Sequence, residues 1–319
     1  MALHVSLYSR VSPGKSSPKK VRGFLALPGE IRNQIYGYYF ESDFRCEVVA
    51  QGTSLEAQMP KTVKLWAANF QTTSPKLQHA TQAKEEKPTT IRVSRRLGKY
   101  NTVQGLQTKW STSLFAISLV CKLLHTETLP CMYRKTAFVF DAPKRITAFM
   151  ALVPEAMLEH ITVLELVYAT YGAPAKCNDR IWQQKHIKSW NTACRLLSKR
   201  LTRLRVLTMH VKLNNDTPRF NLRETCFLPL LQFRRLGHQQ HAALTTVNVD
   251  FRTPCLGSGF RGPPSLVQAN VHLHKLFATC IQLAILGEKE NMAMAGFDEA
   301  WEGRYHVWQH HLGFARTGW

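Results

Sequence analysis

Between residues 136 and 288 short aliphatic or aromatic runs alternate with longer stretches of helical period, and this alternation narrows the fold more than any other feature of the chain. TAFVFD (136–141), HITVLELVY (160–168), LRVLTMHVKL (204–213) and LTTVNVDF (244–251) read as strands, bounded by turn formers and rich in β-branched and aromatic residues. PKRITAFMALV (143–153), DRIWQQKHIKSWNTACRLLSKRL (179–201), RETCFLPLLQFRRLG (223–237) and SLVQANVHLHKLFATCIQLAILGE (265–288) read as helices. In the second of these, Ile187, Trp190, Cys194, Leu197 and Leu201 fall on one face. A helical crossover returns the chain in the same direction, so strands separated by helices are expected to be parallel.

The N-terminal part has a different texture. Residues 9–22, SRVSPGKSSPKKVR, combine Ser, Pro, Gly and basic residues and predict a disordered basic tail over 1–22. The tail carries Ser12-Pro13 and Ser17-Pro18, minimal sites for a proline-directed kinase, and a short basic run at 19–22. FLALPGEIRNQIYGYYF (24–40) then predicts a short amphipathic helix. Pro28 suits a first turn because its missing N–H is an orphan there, and Glu30 complements the helix dipole. Leu27, Ile31, Ile35 and Tyr38/Tyr39 form one apolar stripe.

From 41 to 110 the periodicity weakens, which predicts a polar insertion. Order returns in STSLFAISLVCKLLHTETLP (111–130), where Ser111 or Ser113 can cap a helix, Pro130 can end it, and apolar residues surround the circumference as in a buried helix. The organisation expected is therefore a tail (1–22), a region 23–141 interrupted at 41–110, and a helix-strand domain over 142–319.

Chemistry is sparse. No Gly-x-Ser-x-Gly, P-loop or dinucleotide fingerprint is present, and the glycine-rich 254–264 lacks the phosphate-loop Lys-Ser/Thr. The eight cysteines include no Cys-x-x-Cys pair, so neither a zinc site nor a disulfide framework is expected. His272 and His274 sit two apart and would point to different helix faces, while His238/His241 and His306/His310 lack neighbouring Cys or carboxylate ligands. No metal, cofactor or catalytic residue is expected. The longest apolar run, 114–124, is too short to cross a bilayer and the N-terminus is a poor secretory signal, so a cytoplasmic or nuclear setting without a membrane partner is expected.

The 42 Lys and Arg against 21 Asp and Glu leave a formal charge of +21, which favours polyanionic partners. Two clusters could follow a phosphate backbone: Arg92, Arg95, Arg96 and Lys99, and Arg195, Lys199, Arg200, Arg203 and Arg205. No helix-turn-helix, zinc-finger or ribonucleoprotein motif accompanies them.

Two blocks carry a resemblance. LPGEIRNQIY (27–36) resembles the opening of F-box and F-box-like domains, above all a group of fungal proteins that begin Leu-Pro-x-Glu-Ile-Arg-x-x-Ile-Tyr. SLVCKLLHTETLPCMYRKTAFVFD (118–141) is similar to that group's second block, although the insertion separates the two. LTRLRVLTMHV (201–211) also has the Leu-x-x-Leu-x-aliphatic flavour of a degenerate leucine-rich repeat. The fold expected is mixed α and β: the resemblance implies F-box-like helices at the start, and the pattern of runs predicts alternating helices and parallel strands after them. It implies that Leu27, Pro28, Ile31 and Ile35, with Val120 and Leu124 from the later helix, meet a Skp-type adaptor of cullin ubiquitin ligases while the C-terminal part selects a substrate protein. The function expected is non-catalytic protein–protein interaction. The alternatives are a basic nucleic-acid-associated protein and a structural protein in which the first helix is only core.

Overall fold

A computed structural model describes residues 23–40, 44–49, 89–92, 117–172, 180–214, 220–237, 244–253 and 263–309. The chain divides into two units, Met1–Tyr39 and Phe40–Trp319. The expected tail (1–22) lies outside the described residues.

In the first unit a 3₁₀ turn, Phe24–Ala26, leads into helix α1, Gly29–Tyr39. The Pro28 carbonyl accepts the Arg32 N–H at 3.1 Å, and the Arg32 guanidinium donates back to the Leu27 carbonyl. Phe24 packs against the helix with its ring centroid 5.9 Å from that of Tyr36.

The second unit is built on a six-stranded sheet in the order β2-β1-β3-β4-β5-β6, all neighbours parallel. The strands are β1 (Phe44–Val48), β2 (Thr89–Arg92), β3 (Thr136–Phe140), β4 (Val163–Ala169), β5 (Val206–Lys212) and β6 (Thr246–Arg252). The helices are α2 (Lys122–Lys135), α3 (Pro143–Leu152), α4 (Glu155–Leu158), α5 (Arg180–Arg200), α6 (Arg234–Gly237), α7 (Pro264–Leu286) and α8 (Glu290–Glu299). The fold class is therefore the expected mixture, helices alternating with parallel strands in a single sheet.

Register fixes which side chains share a face. Phe138, Leu164, Leu207 and Val247 align in one row, and Phe140, Leu166, Met209 and Val249 in the next. Tyr168, Val211 and Phe251 form a third row, and the residues of all three are buried or packed against the core. Helices cover this face through aromatic contacts. Phe149 of α3 lies 5.1 Å from Phe138 and 5.2 Å from Phe140, Trp190 of α5 meets Tyr168 edge-on at 5.3 Å, and Phe277 of α7 lies 5.2 Å from Phe251. Edge-on geometry adds about 0.5–1.5 kcal/mol per pair to area burial. The Tyr168 hydroxyl, buried with its ring, donates to the Cys226 carbonyl at 2.8 Å. Helix α7 ends on Gly287 at φ 110°, a left-handed C-cap that favours glycine.

Four expectations need correction. The stretch 41–110 is more than a polar insertion, because it supplies β1 and β2 to the sheet. A boundary at 141/142 has no structural counterpart, since β3 and β4 pair across it. Helix α2 starts at Lys122, after a 3₁₀ turn at Ile117–Leu119, and runs through Pro130, forgoing one backbone hydrogen bond there. It is not a buried helix, for only Leu124 and Thr128 are buried while Leu123 is exposed. Finally, the helix expected over 223–237 is a series of turns, a 3₁₀ segment (Leu230–Phe233) and the single turn α6, with Pro229 leading into the 3₁₀ segment.

Candidate functional site

Among the described residues three places gather the chemistry: the stripe on α1, the polar face of the sheet, and the edge where the strands begin.

On α1 much of the apolar stripe is exposed. Ile31 is 41 %, Ile35 36 % and Tyr38 77 % exposed, Pro28 is exposed and Leu27 half-buried, while Tyr36, off the stripe, is buried. Of the two positions expected to complete an adaptor surface, Val120 is exposed and Leu124 is buried at 4 %. Leu27, Pro28, Ile31 and Ile35 belong to the first unit and Val120 and Leu124 to the second.

The sheet face opposite the aromatic contacts carries a run of ionisable groups across five adjacent strands. Arg45 of β1 aligns with Ala137 of β3, whose methyl group leaves room above it, and Ala137 aligns with Val163 of β4. The Arg45 guanidinium reaches over β3 and donates to both oxygens of Glu165, with Nη2 to Oε1 at 2.6 Å, and its Nε donates to Glu47 at 3.0 Å. His210 of β5 stands between two carboxylates, Nε2 3.2 Å from Glu165 and Nδ1 3.2 Å from Asp250 of β6, which in turn accepts from Arg252. An imidazole with an acceptor at each nitrogen favours the doubly protonated cation, in which both nitrogens donate. With His210 charged, Arg45, His210 and Arg252 balance Glu47, Glu165 and Asp250.

Electrostatics follow from that balance. Burial alone would raise the Glu165 carboxyl, but hydrogen bonds from His210 and Arg45 outweigh it and hold it at about 2. Asp250 is likewise pushed up by burial and brought below the usual range by Arg252 and His210. The Glu165 hydrogen bond raises His210, against partial burial and with help from Asp250. Glu47 is 3 % exposed and Val139, on the same face, is fully buried, so this face is closed over β1 and β3 and open toward β5 and β6.

None of these six ionisable residues was an expected site residue. The signal was partial: Glu165 interrupts an otherwise apolar strand, whereas His210 and Asp250 alternate with apolar residues in strands that carry other polar side chains. Strand order and register, needed to bring the three together, cannot be read from one sequence.

The basic clusters separate. Of the first, Arg92 is placed as the last residue of β2, and Arg95, Arg96 and Lys99 lie outside the described residues. Of the second, all five residues are exposed; Arg195, Lys199 and Arg200 lie on α5, whereas Arg203 and Arg205 sit in the turn before β5. Arg200 donates to the Met150 carbonyl at 2.9 Å.

Among the described residues no group of three His, Cys, Asp or Glu is arranged to hold a metal ion, and no helix is long and apolar enough to cross a membrane. His272 and His274 do diverge. His274 donates from Nδ1 to the Asn270 carbonyl and accepts from the Thr253 hydroxyl, and its neutral form is favoured by burial, whereas His272 pairs with the Tyr305 hydroxyl. His238, His241 and His310 lie outside the described residues. Burial raises the Cys46 and Cys226 thiols to about 12, the opposite of what a nucleophile requires.

One family model matches residues 19–225, about two thirds of the chain, under the description "Domain of unknown function (DUF7730)". The match takes in α1 and the sheet as far as β5. Neither a curated protein nor a solved structure matches the chain.

Proposed function

The chain belongs to the domain family of unknown function DUF7730, and from its own residues we propose that it is a non-catalytic protein-binding module whose helix α1 docks on a partner. The observation that carries this reading is the exposed stripe of Ile31, Ile35 and Tyr38 on α1, with Pro28 exposed just before it. A helix that leaves its apolar stripe uncovered has the form that helix-in-groove recognition uses. The resemblance of LPGEIRNQIY to F-box openings supplies the partner's identity, a Skp-type adaptor, with a substrate protein engaged elsewhere on the chain.

The exposure of Ile31 and Ile35 weighs against the alternative in which this helix is only core. The nucleic-acid alternative draws on exposed cations, with Arg195, Lys199 and Arg200 on α5 and Arg203 and Arg205 in the segment that follows it. A surface that tracks a phosphate backbone needs a continuous row. It predicts binding to generic DNA or RNA that falls steeply with salt, and affinity indifferent to salt would remove it.

The deciding experiment is co-purification of the tagged chain with the adaptor, wild type beside Ile31→Asp, with circular dichroism on both. Because Ile31 is exposed, the variant is expected to stay folded. A charge placed in the docked interface is expected to cost about 2 kcal/mol or more, roughly a thirtyfold loss of affinity. Loss of fold in the variant, or equal capture of both proteins, would refute the proposal.

A further inference from the structure

In a parallel sheet whose crossovers are helices, the helices run against the strands, so their C-terminal ends gather where the strands begin. Here α2 ends directly before β3 and α5 ends shortly before β5. Each helix end presents about half a negative charge, which accounts for some cations in this region. It does not account for the number found. A cavity of about 870 Å³ at this edge is lined by Arg134, Lys135, Arg203 and Arg205, with His160 and a single carboxylate, Glu159. Against four positive side chains stand Glu159 and, from the two helix ends, roughly one further negative charge, leaving about two positive charges uncompensated. None of the four cations forms an ion pair among the described residues.

The cavity is framed by backbone rather than by mobile side chains. The Thr162 hydroxyl donates to the Arg134 carbonyl at 2.9 Å, and the Thr162 carbonyl accepts the N–H groups of Arg205 and Val206 at 2.8 and 3.0 Å. The Arg205 carbonyl in turn accepts the N–H groups of Thr245 and Thr246 at 2.9 and 3.0 Å. The segments entering β3, β4, β5 and β6 are thus tied to one another, so the stems of Arg134 and Arg205 start from fixed points. His160 supplies an independent sign. Its Nδ1 is buried and has no hydrogen-bond partner, a state that is unfavourable when nothing else satisfies the group.

We propose that this cavity is a binding site for a phosphate-bearing ligand, held by Arg134, Lys135, Arg203 and Arg205. Guanidinium groups match phosphate oxygens two at a time and lysine adds a point charge. The volume falls within the range of small-ligand pockets, about 300–1,000 Å³, and takes a compact polyanion rather than a length of backbone. Burial, together with Arg134 and Arg203, holds the His160 imidazole below its usual range, and its unpartnered Nδ1 is a further group for the ligand to engage.

The test is titration calorimetry of the full chain with inorganic pyrophosphate, for wild type, for an Arg203→Ser/Arg205→Ser variant and for an Arg195→Ser/Lys199→Ser variant. The second variant removes the same formal charge from the exposed surface of α5, away from the cavity lining. Expected is saturable binding to wild type, a loss of about tenfold or more in the pocket variant, and little change in the α5 variant. Sedimentation with phosphatidylcholine vesicles with and without phosphoinositide identifies the source of the phosphate. Selective capture by the phosphoinositide vesicles, lost in the pocket variant alone, also supports the site and assigns it to a lipid headgroup. Absence of saturable pyrophosphate binding, equal weakening of both variants, or binding of an oligonucleotide where pyrophosphate fails would overturn the proposal.

Discussion

Replacing Glu165 by Gln tests the polar face most directly. The carboxyl is held at about 2 against an ordinary value of 4.5, and its side chain is only 10 % exposed, so solvent screening is slight. Each unit of displacement is worth about 1.4 kcal/mol, which puts the stabilisation from ionised Glu165 at about 3 kcal/mol. The folded-state value lies below the unfolded one. The contribution is therefore complete above pH 4.5, declines as pH falls through the window, and is gone below about pH 2. Gln keeps the shape and loses the charge, leaving Arg45 with Glu47 alone and His210 with Asp250 alone. Urea unfolding followed by tryptophan fluorescence should show the variant about 2–3 kcal/mol less stable at neutral pH, the gap narrowing by roughly half at pH 3. The substitution also removes the largest cause of the raised His210. Wild type carries a His210 contribution that is complete below the ordinary imidazole value of 6.5 and fades as pH rises through the raised one, and this alkaline loss should shrink in the variant. A variant within about 0.5 kcal/mol of wild type, or one that tracks it in parallel down to acid, would show that the six charges do not act as a unit.

Other perturbations probe the opposite layer. A Cβ on Gly237 would lie 2.7 Å from the Leu286 carbonyl oxygen and 2.9 Å from its carbon. Gly237→Ala should therefore force α6 from the end of α7 and cost about 1–3 kcal/mol, seen as a lowered melting temperature; an unchanged one would mean the contact relaxes freely. Trp190, 1 % exposed against Tyr168, should cost about 3–5 kcal/mol when cut to alanine, with loss of near-ultraviolet dichroism from the tyrosine pair, and a small effect would place the core's weight elsewhere.

Apolar alternation betrayed much of the helix-strand layout. The strands β3 to β6 and the helices α3, α5 and α7 stand where the expected runs end or begin, because each pairs a periodic apolar pattern with a turn or a proline at its boundary. The strand β1 escaped notice for a physical reason. In FRCEV the charges of Arg45 and Glu47 look like a solvated side, yet Glu47 is almost fully buried and Arg45 is spent on Glu165, which lies 120 residues away. A pattern of alternating polarity cannot tell water from a complementary charge across the sheet. Pro130 misled in the other direction, since a proline costs a helix one hydrogen bond but does not stop it where packing continues. On α1 the stripe was legible and its direction was not, because periodicity states which residues share a face and never what that face meets.

The pairing of β1 with β3 also bears on how the chain assembles. Strands β4 to β6 each lie beside their nearest predecessor, whereas β3 passes over β2 to pair with β1, so that Phe44 meets Thr136 across about 90 residues, against about 40 between Val206 and Thr246. Closing the longer span costs only about 0.6 kcal/mol more for each doubling of length, so residues can be added between β1 and β3 at small thermodynamic expense. Rate is another matter, since distant contacts form late. The sheet should grow from its β3–β6 portion, with β1 and its neighbour β2 joining last and the Arg45–Glu165 pair forming once the rest has set.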